Sequence, residues 1–263
     1  MKENRFHCES AELNFIEGPP NGLPILLLHG ATKNWQSFSP LINDLMAYLH
    51  VLAIDFRGHG KSKHMAGAYK LQDYLMDTQC FIMEYIKQPT IILGHSLGGM
   101  IGLMAAAKYP QLVSSLIIID APLTTASLRK LAQEQGAFAN QLIQWLKISK
   151  FLNVTSFNNG AIPESLSQCD PDMLHAIIND FEATFHQYSI EELFPKIKCP
   201  ILLIRGNTIR GSLVNDAEVE QVKTLLPKLK DIKLPHAGHS PIRQDKQLIL
   251  KEIRAFLKKI LNV

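Results

Sequence analysis

The sequence predicts an α/β protein with a doubly wound, mostly parallel sheet, antiparallel N-terminal strands and an inserted helical cap. Short, continuously apolar runs, among them residues 24–28 and 116–119, are typical of strands that helices cover on both faces. Segments with helical spacing alternate with these runs, which indicates crossover connections and therefore parallel strands. Between residues 123 and 194 the pattern becomes helical with no buried strand, so we expect the cap there.

The predicted strands and helices follow one another in a regular order. Residues 6–10 and 11–17 partly alternate apolar and polar side chains, as expected of two edge strands with one solvated face. We predict strands at 24–28, 51–54, 91–95, 116–120 and 200–206 and a last, shorter one at 230–234, and helices at 38–49, 69–86, 97–107 and 248–260. The chain then divides into a core of residues 1–122 and 195–263 and a cap of residues 123–194.

Composition excludes several classes of function. The chain has 263 residues, is 46% hydrophobic and carries a net charge of +3, which suits a globular protein with a sizeable interior. Its basic residues are scattered except in the C-terminal helix, so we expect no nucleic-acid partner. The four cysteines, at positions 8, 80, 169 and 199, have no CxxC spacing, so we predict neither a metal site nor a disulfide framework.

The sequence also contains features that bear on cellular location. The first five residues are polar and carry no apolar signal core. No run approaches the roughly eighteen apolar residues that a membrane span needs. We therefore expect no membrane span and a cytoplasmic location.

The strongest chemical signal is a Gly-x-Ser-x-Gly pattern centred on Ser96, which lies between an apolar run and an alanine-rich helical segment. The pattern also occurs by chance in loops, but this strand–turn–helix context favours a nucleophile held on a sharp turn. Small residues two positions on either side let the strand and helix pass closely. The helix starting after Ser96 directs free N–H groups toward a developing oxyanion, so we predict the Leu97 amide as one donor. His95 is interpreted as a packed or hydrogen-bonding neighbour.

A serine nucleophile needs an imidazole that takes its proton and later returns it to the leaving group. His239 follows the last predicted strand and should emerge at the same sheet edge as Ser96, which makes it our candidate base. His236, three residues earlier, is the local competitor.

Two loops complete the predicted site region. His29-Gly30-Ala31 ends a buried strand, and glycine permits a turn that can point the next N–H inward, so we predict the Ala31 amide as the second oxyanion donor. The motif Asp55-x-Arg57-Gly-His-Gly-x-Ser is interpreted as structural, with Arg57 and Asp55 able to pair across a tight loop.

Taken in order, these motifs resemble the α/β-hydrolase superfamily, in its capped serine-hydrolase branch. The resemblance spans nearly the whole chain and is specific for fold and catalytic machinery but not for substrate. It implies an α/β-hydrolase fold and a triad in the order serine, acid, histidine. A serine at position 96 argues against the dehalogenase and epoxide-hydrolase branches, whose nucleophile is an aspartate.

The sequence departs from the family pattern at the triad acid. Related proteins usually carry an acidic residue at the position of Ile209, whose side chain cannot orient an imidazole. Asp120 is our preferred alternative because it ends the strand after the elbow strand, and some family members place their acid there. Asp216 is the second candidate, although it stands where a helix begins and a cap is expected. A strand-end carboxylate that only bonds its own turn is the structural alternative for Asp120.

The function we expect is cofactor-independent hydrolysis of an ester or related acyl bond in a small, largely apolar molecule held under the cap. Ser96 would attack the carbonyl, the Leu97 and Ala31 amides would bind the oxyanion, and His239 would transfer the proton. A carbon–carbon bond hydrolase or a lactonase with the same machinery is one alternative. A catalytically silent binding module that has lost its acid is the other.

Overall fold

An eight-stranded sheet forms the centre of the computed structural model, which describes residues 1–9, 11–152, 156–157, 160–161 and 163–261. The strands, including a separate short pair, are β1 (Lys2–Cys8), β2 (Ala11–Glu17), β3 (Pro24–Leu28), β4 (His50–Ile54), β5 (Thr90–His95), β6 (Val113–Ile119), β7 (Ser156–Phe157), β8 (Gly160–Ala161), β9 (Ile201–Arg205) and β10 (Leu229–Lys233). The order in the main sheet is β1-β2-β4-β3-β5-β6-β9-β10. Strand β2 runs antiparallel to both β1 and β4, and the other pairs are parallel. The predicted fold class is confirmed.

Helices cover both faces of this sheet. They are α1 (Ser39–Met46), α2 (Leu71–Cys80), α3 (Leu97–Lys108), α4 (Ala126–Leu152), α5 (Glu164–Ser167), α6 (Pro171–Ile178), α7 (Phe181–Phe185), α8 (Ile190–Leu193), α9 (Asp216–Lys223), α10 (Pro241–Gln244) and α11 (Lys246–Leu261). Alternate residues of each buried strand face opposite layers: Ile25 and Leu27 belong to the same core cluster as apolar residues of α1 and α11, whereas Leu26 and Leu28 belong to the cluster of α2, α3 and α9. This two-sided burial explains why the strands appear in the sequence as continuous apolar runs.

The segment 123–194 lies in the chain between β6 and β9, which are direct neighbours in the sheet. Its long helix α4 packs on α6. The antiparallel pair β7–β8 was not predicted, because strands of two residues are too short to show a periodicity. One smaller difference occurs in the core. The predicted helix 69–86 is α-helical only to Cys80 and continues as a π-helix over Phe81–Ile86, and Ser10, in the first predicted strand, lies outside the described residues.

The predicted pairing of Arg57 with Asp55 is wrong. Arg57 instead makes a buried, two-pronged contact with Asp77 of α2, through Nε–Oδ2 and Nη2–Oδ1 distances of 2.7 and 2.6 Å. The Asp55 carboxylate accepts hydrogen bonds from the backbone N–H groups of Trp35 and Lys61. A buried carboxylate satisfied by backbone donors needs no cation, which leaves the guanidinium to fix α2 against the loop.

The turn between β5 and α3 depends on two glycines. A Cβ atom at Gly98 would overlap the carbonyl oxygen of Leu28 at the end of β3, and one at Gly94 would overlap the carbonyl of Gly98. Both obstacles are backbone atoms, which cannot move aside as a side chain can. The close approach of α3 to β3 and β5 therefore requires glycine at these positions.

We expect Gly98→Ala to destabilise the protein by about 3 kcal/mol or more, because the added methyl group would push α3 away from the sheet. That loss corresponds to a Tm decrease of roughly 6 °C or more. Gly136→Ala is the matched control, since Gly136 is also helical and a Cβ there meets nothing within 4 Å. Thermal unfolding of both variants tests the argument, and an unchanged Tm for Gly98→Ala would contradict it.

Two buried histidines lie under the loops at the carboxyl ends of β3 and β4. Both His29 and His59 are fully buried, and burial lowers the pKa of His29 to about 4 and that of His59 to about 3. The Nδ1–H of His59 donates to the Arg57 carbonyl at 2.9 Å, while its buried Nε2 has no hydrogen-bond partner within the described chain. Protonation would therefore place an unsatisfied charged N–H in the interior.

The free energy of unfolding should therefore decrease as the pH is lowered below the ordinary histidine pKa of 6.5. In that range the unfolded chain binds protons at His29 and His59, whereas the folded chain keeps both side chains neutral. The stabilising contribution of the two neutral histidines is complete above that pKa and is lost as the pH falls toward their pKa values in the folded protein. At pH 5 the loss is about 2 kcal/mol for each histidine. Denaturant unfolding at pH 7 and pH 5 measures this loss.

In His59→Gln the loss between these pH values should be smaller than in wild type by about 2 kcal/mol. Exposed His236→Gln should show the wild-type loss. An identical pH dependence in His59→Gln and wild type would rule out the assigned contribution.

Candidate active site

Ser96 forms the turn between β5 and α3. Its backbone has φ 52° and ψ −118°, a conformation that residues other than glycine rarely adopt. The Ser96 N–H donates to the Ile119 carbonyl at 3.1 Å, and the Ser96 carbonyl accepts from the Gly99 N–H at 2.9 Å. These contacts hold the strained turn against β6 and the first turn of α3.

His239 lies in the loop after β10, next to Ser96. Its Nδ1 is 2.7 Å from Asp120 Oδ2, and its Nε2 is 3.1 Å from Ser96 Oγ. A carboxylate can only accept a hydrogen bond, so Nδ1 carries the proton and Nε2 presents its lone pair to the serine hydroxyl. In this tautomer the imidazole can accept the serine proton. His236, the sequence competitor, is exposed on the surface.

Asp120 follows β6 directly and its side chain is completely buried. Its Oδ1 accepts hydrogen bonds from the Gly206 N–H at 2.9 Å and the Ser212 hydroxyl at 2.5 Å, and its Oδ2 accepts from the Leu213 N–H at 3.2 Å. Burial alone would raise the pKa of Asp120, but the hydrogen bonds from His239, Ser212 and Gly206 outweigh it and lower the pKa below its ordinary value. The carboxylate therefore stays ionised beside His239.

Asp216 is positioned differently. It is the first residue of α9, its side chain is 65% exposed, and its carboxylate contacts Arg205 Nη1 at 2.6 Å and Lys233 Nζ at 2.8 Å. The helix cap is the neighbouring Asn215, whose side chain accepts from the Glu218 N–H. The structure thus brings Asp120, and not Asp216, to His239. Ile209 is 92% exposed.

The two predicted oxyanion donors belong to segments that lie next to Ser96. Leu97 is the first residue of α3, where a backbone N–H has no carbonyl one turn earlier in the helix. Ala31 follows the His29–Gly30 turn, and a Cβ at Gly30 would lie 3.1 Å from the Ser96 Cβ. His29 fixes this turn, because its Nδ1 donates to the Gly30 carbonyl at 2.8 Å and its Nε2 accepts from the Phe56 N–H at 2.9 Å. The assignment of both donors stays a prediction.

Ser212 and Gly206 were not assigned a role from the sequence, although both hold the Asp120 carboxylate. They belong to the loop after β9, the same loop in which the family resemblance expects the acid. The absence of an acidic residue in that loop could have indicated their role. If the carboxylate comes from the end of β6 instead, the neighbouring loop must supply hydrogen-bond donors to it.

The segment 123–194 is anchored to loops near this edge of the sheet. Asn34 donates through Nδ2 to Gln168 Oε1 at 3.0 Å, and the Tyr69 hydroxyl donates to Asp170 Oδ2 at 2.5 Å. The Asp170 N–H donates to the Gly58 carbonyl at 2.8 Å. These contacts fix the start of α6 above the carboxyl ends of β3 and β4.

This fold and the serine, histidine and aspartate at its sheet edge define the class of protein. A family model described as the alpha/beta hydrolase fold matches residues 24–151. The sheet order, the helices on both faces and this match show that the chain has the α/β-hydrolase fold.

Individual relatives show how far the similarity extends. The chain is 26% identical over 258 residues to 2-(acetamidomethylene)succinate hydrolase of Mesorhizobium japonicum, a match that covers 90% of this chain and 88% of that protein. It is 37% identical over 119 residues to the human serine hydrolase-like protein, covering 44% of this chain but only 57% of that protein. The crystal structure of a bacterial membrane phospholipase A shares the fold, with a TM-score of 0.78, 22% identity and coverage of 100% of this chain and 87% of that one.

The described residues also bear on metal binding and on membrane insertion. They contain no group of three or more histidine, cysteine, aspartate or glutamate side chains arranged to hold a metal ion. In the same part of the chain, no helix combines the length and apolar character needed to cross a membrane.

We expect Asp120→Asn to lower kcat by about 10³ to 10⁴-fold in a folded protein, because the imidazole would lose the partner that selects its tautomer. Asp216→Asn is the matched control, since it removes the same charge from an exposed carboxylate and should leave kcat near wild type. Steady-state kinetics and Tm should be measured for both variants. Loss of kcat in Asp216→Asn with normal kcat in Asp120→Asn would reverse the assignment.

Proposed function

We propose that this protein is a serine hydrolase that cleaves an ester or related acyl bond through an acyl-enzyme formed on Ser96. The observation that carries the proposal is the continuous contact from Asp120 through His239 to Ser96, with distances of 2.7 and 3.1 Å. These distances are within hydrogen-bond range, and each atom has the donor or acceptor character that the reaction needs.

The reaction follows from this arrangement. Ser96 Oγ attacks the substrate carbonyl carbon while His239 Nε2 takes the hydroxyl proton, and the Asp120 carboxylate stabilises the resulting imidazolium. The amides of Ala31 and Leu97 bind the oxygen that becomes negative in the tetrahedral intermediate. His239 then gives its proton to the leaving group, which departs and leaves the acyl group on Ser96. A water molecule activated by the same imidazole hydrolyses that ester and restores the enzyme.

The substrate we propose is small and largely apolar. Residues 123–194 would act as a cap over a core formed by residues 1–122 and 195–263, which is supported by their position between β6 and β9. A relative matched along most of the chain is named for a succinate derivative, so small carboxylated acyl compounds belong in the substrate panel.

A carbon–carbon bond hydrolase or lactonase would use the same residues and is the second candidate. The match to an enol-lactonase structure, with a TM-score of 0.75 and 18% identity, shows a common fold and makes lactones a necessary part of the panel. A catalytically silent binding module was suggested by the isoleucine at position 209. The contact between Asp120 and His239 argues against the binding module, because it supplies a carboxylate to the imidazole.

A fluorophosphonate probe tests the proposal directly. We expect wild-type protein to be labelled, Ser96→Ala not to be labelled, and His239→Ala to react at least about 10²-fold more slowly because the hydroxyl has lost its base. His236→Ala replaces an exposed histidine near the same loop and should react like wild type. Equal labelling of wild type and Ser96→Ala would refute the proposal.

The reaction type is tested separately by turnover. The panel consists of 4-nitrophenyl esters of graded acyl length, simple lactones, a vinylogous diketone and a small acylated dicarboxylate. Preferred turnover of short esters supports the proposed activity, whereas preferred turnover of lactones or the diketone supports the second candidate. Labelled, folded protein that turns over none of the esters would contradict the proposed ester specificity.

A further inference from the structure

His95, the residue before Ser96, makes a contact that the proposed reaction does not use. Its side chain is 6% exposed, and its Nε2 lies 2.7 Å from the main-chain carbonyl oxygen of His239. The two imidazole rings lie side by side, with their centroids 5.0 Å apart. A side chain of the nucleophile turn thus holds the backbone of the residue that carries the base.

The chemistry of the contact fixes the protonation of His95. A carbonyl oxygen only accepts hydrogen bonds, so Nε2 carries a proton and donates it. Burial, followed by the nearby His239, lowers the pKa of His95 to about 4, and the ring is neutral at ordinary pH. His95 is therefore a fixed, uncharged donor and does not compete with His239 for the serine proton.

The same ring also contacts the loop that carries a predicted oxyanion donor. A Cβ at Gly30 would lie 3.0 Å from His95 Nδ1, which is tighter than an ordinary contact. His95 thus packs against the turn before Ala31 on one side and against the His239 loop on the other. The ring lies where the nucleophile, base and oxyanion loops meet.

We propose that His95 is a positioning residue, whose Nε2–H anchors the main chain of His239 and so holds the imidazole at hydrogen-bond distance from Ser96. This inference rests on the proposed function of Ser96 and His239. Asp120 holds the imidazole at Nδ1 only, and the side chain of His239 is 33% exposed. A ring held at one nitrogen can still swing about that contact, whereas a second anchor on its own backbone restricts the swing.

The neighbouring backbone shows why this anchor is needed. The preceding Gly238 is held through its N–H by Gln244 Oε1 at 2.8 Å, and the short helix α10 begins only at Pro241. His239 itself belongs to neither a strand nor a helix. The hydrogen bond from His95 connects this loop to β5, which pairs with β3 and β6 inside the sheet.

Two substitutions at His95 separate the hydrogen bond from the packing. His95→Leu fills a similar volume without a donor, whereas His95→Gln carries an amide nitrogen the same number of bonds from Cβ as Nε2. We expect His95→Leu to lower kcat by about 10 to 10²-fold with KM changed less than about 2-fold, because the attacking geometry is lost but substrate contacts remain. His95→Gln should restore kcat to within about 3-fold of wild type.

The alternative is that His95 only packs the turn. In that case His95→Leu would lower Tm while the kcat of the folded protein stayed normal, and this result would overturn the inference. Equal kcat losses in the leucine and glutamine variants would overturn it too, because the donor would then not matter. If His95→Leu does not fold, His95→Asn replaces it, since its amide is one bond too short to reach the carbonyl.

A double-mutant cycle tests whether His95 acts through His239. In a His239→Ala background, His95→Leu should cause no further loss of fluorophosphonate labelling rate, because the imidazole that it positions is absent. The same fold-loss in both backgrounds would overturn the inference. Failure of the proposed function is distinguishable, since Ser96→Ala and His239→Ala would then keep wild-type labelling, whereas failure of this inference alone leaves those two variants impaired and His95→Leu normal.

Discussion

The buried carboxylate of Asp120 is the constraint on which the site depends. An ionised carboxylate without partners costs several kcal/mol in a protein interior, so its surroundings must supply donors. They come from two loops, with Gly206 and Ser212 after β9 and His239 after β10, whereas the carboxylate itself stands at the end of β6. Satisfying one charge therefore aligns three loop ends and selects the tautomer of His239.

This arrangement explains how a carboxylate at the end of β6 can reach His239, although the family resemblance expects the acid in the loop after β9. The two strands are neighbours in the sheet, so their carboxyl ends lie side by side and either can present a carboxylate to the β10 loop. With the carboxylate at the end of β6, the loop after β9 donates N–H and O–H groups to it. Position 209 is then free to point into solvent, where its isoleucine is 92% exposed.

The sequence predicts those parts of the molecule that leave a local pattern. Strands buried on both faces appear as apolar runs, and Ser96 could be found because it follows such a run in a Gly-x-Ser-x-Gly pattern. His239 could be found because it follows the last predicted strand. Pairings between distant segments leave no such pattern. Nothing local indicates that Arg57 joins Asp77 rather than Asp55, or that Ser212 faces Asp120, because both choices depend on which loops the folded sheet brings together. The pair β7–β8 was missed for its shortness.

Backbone strain is concentrated just beyond the carboxyl ends of the central strands. Among the described residues other than glycine, those with positive φ are Thr32, Lys87, Ser96 and Asp120, and all but Lys87 stand just beyond the carboxyl ends of β3, β5 and β6. Each such conformation costs of order 1 kcal/mol and persists only if its surroundings hold it. Ser96 is held by the Ile119 carbonyl, and Asp120 donates its own N–H to Ile204 of β9. Hydrogen bonds of the central strands thus continue into the strained residues, which lets a rigid sheet keep Ser96 and Asp120 in backbone conformations that free loops would relax.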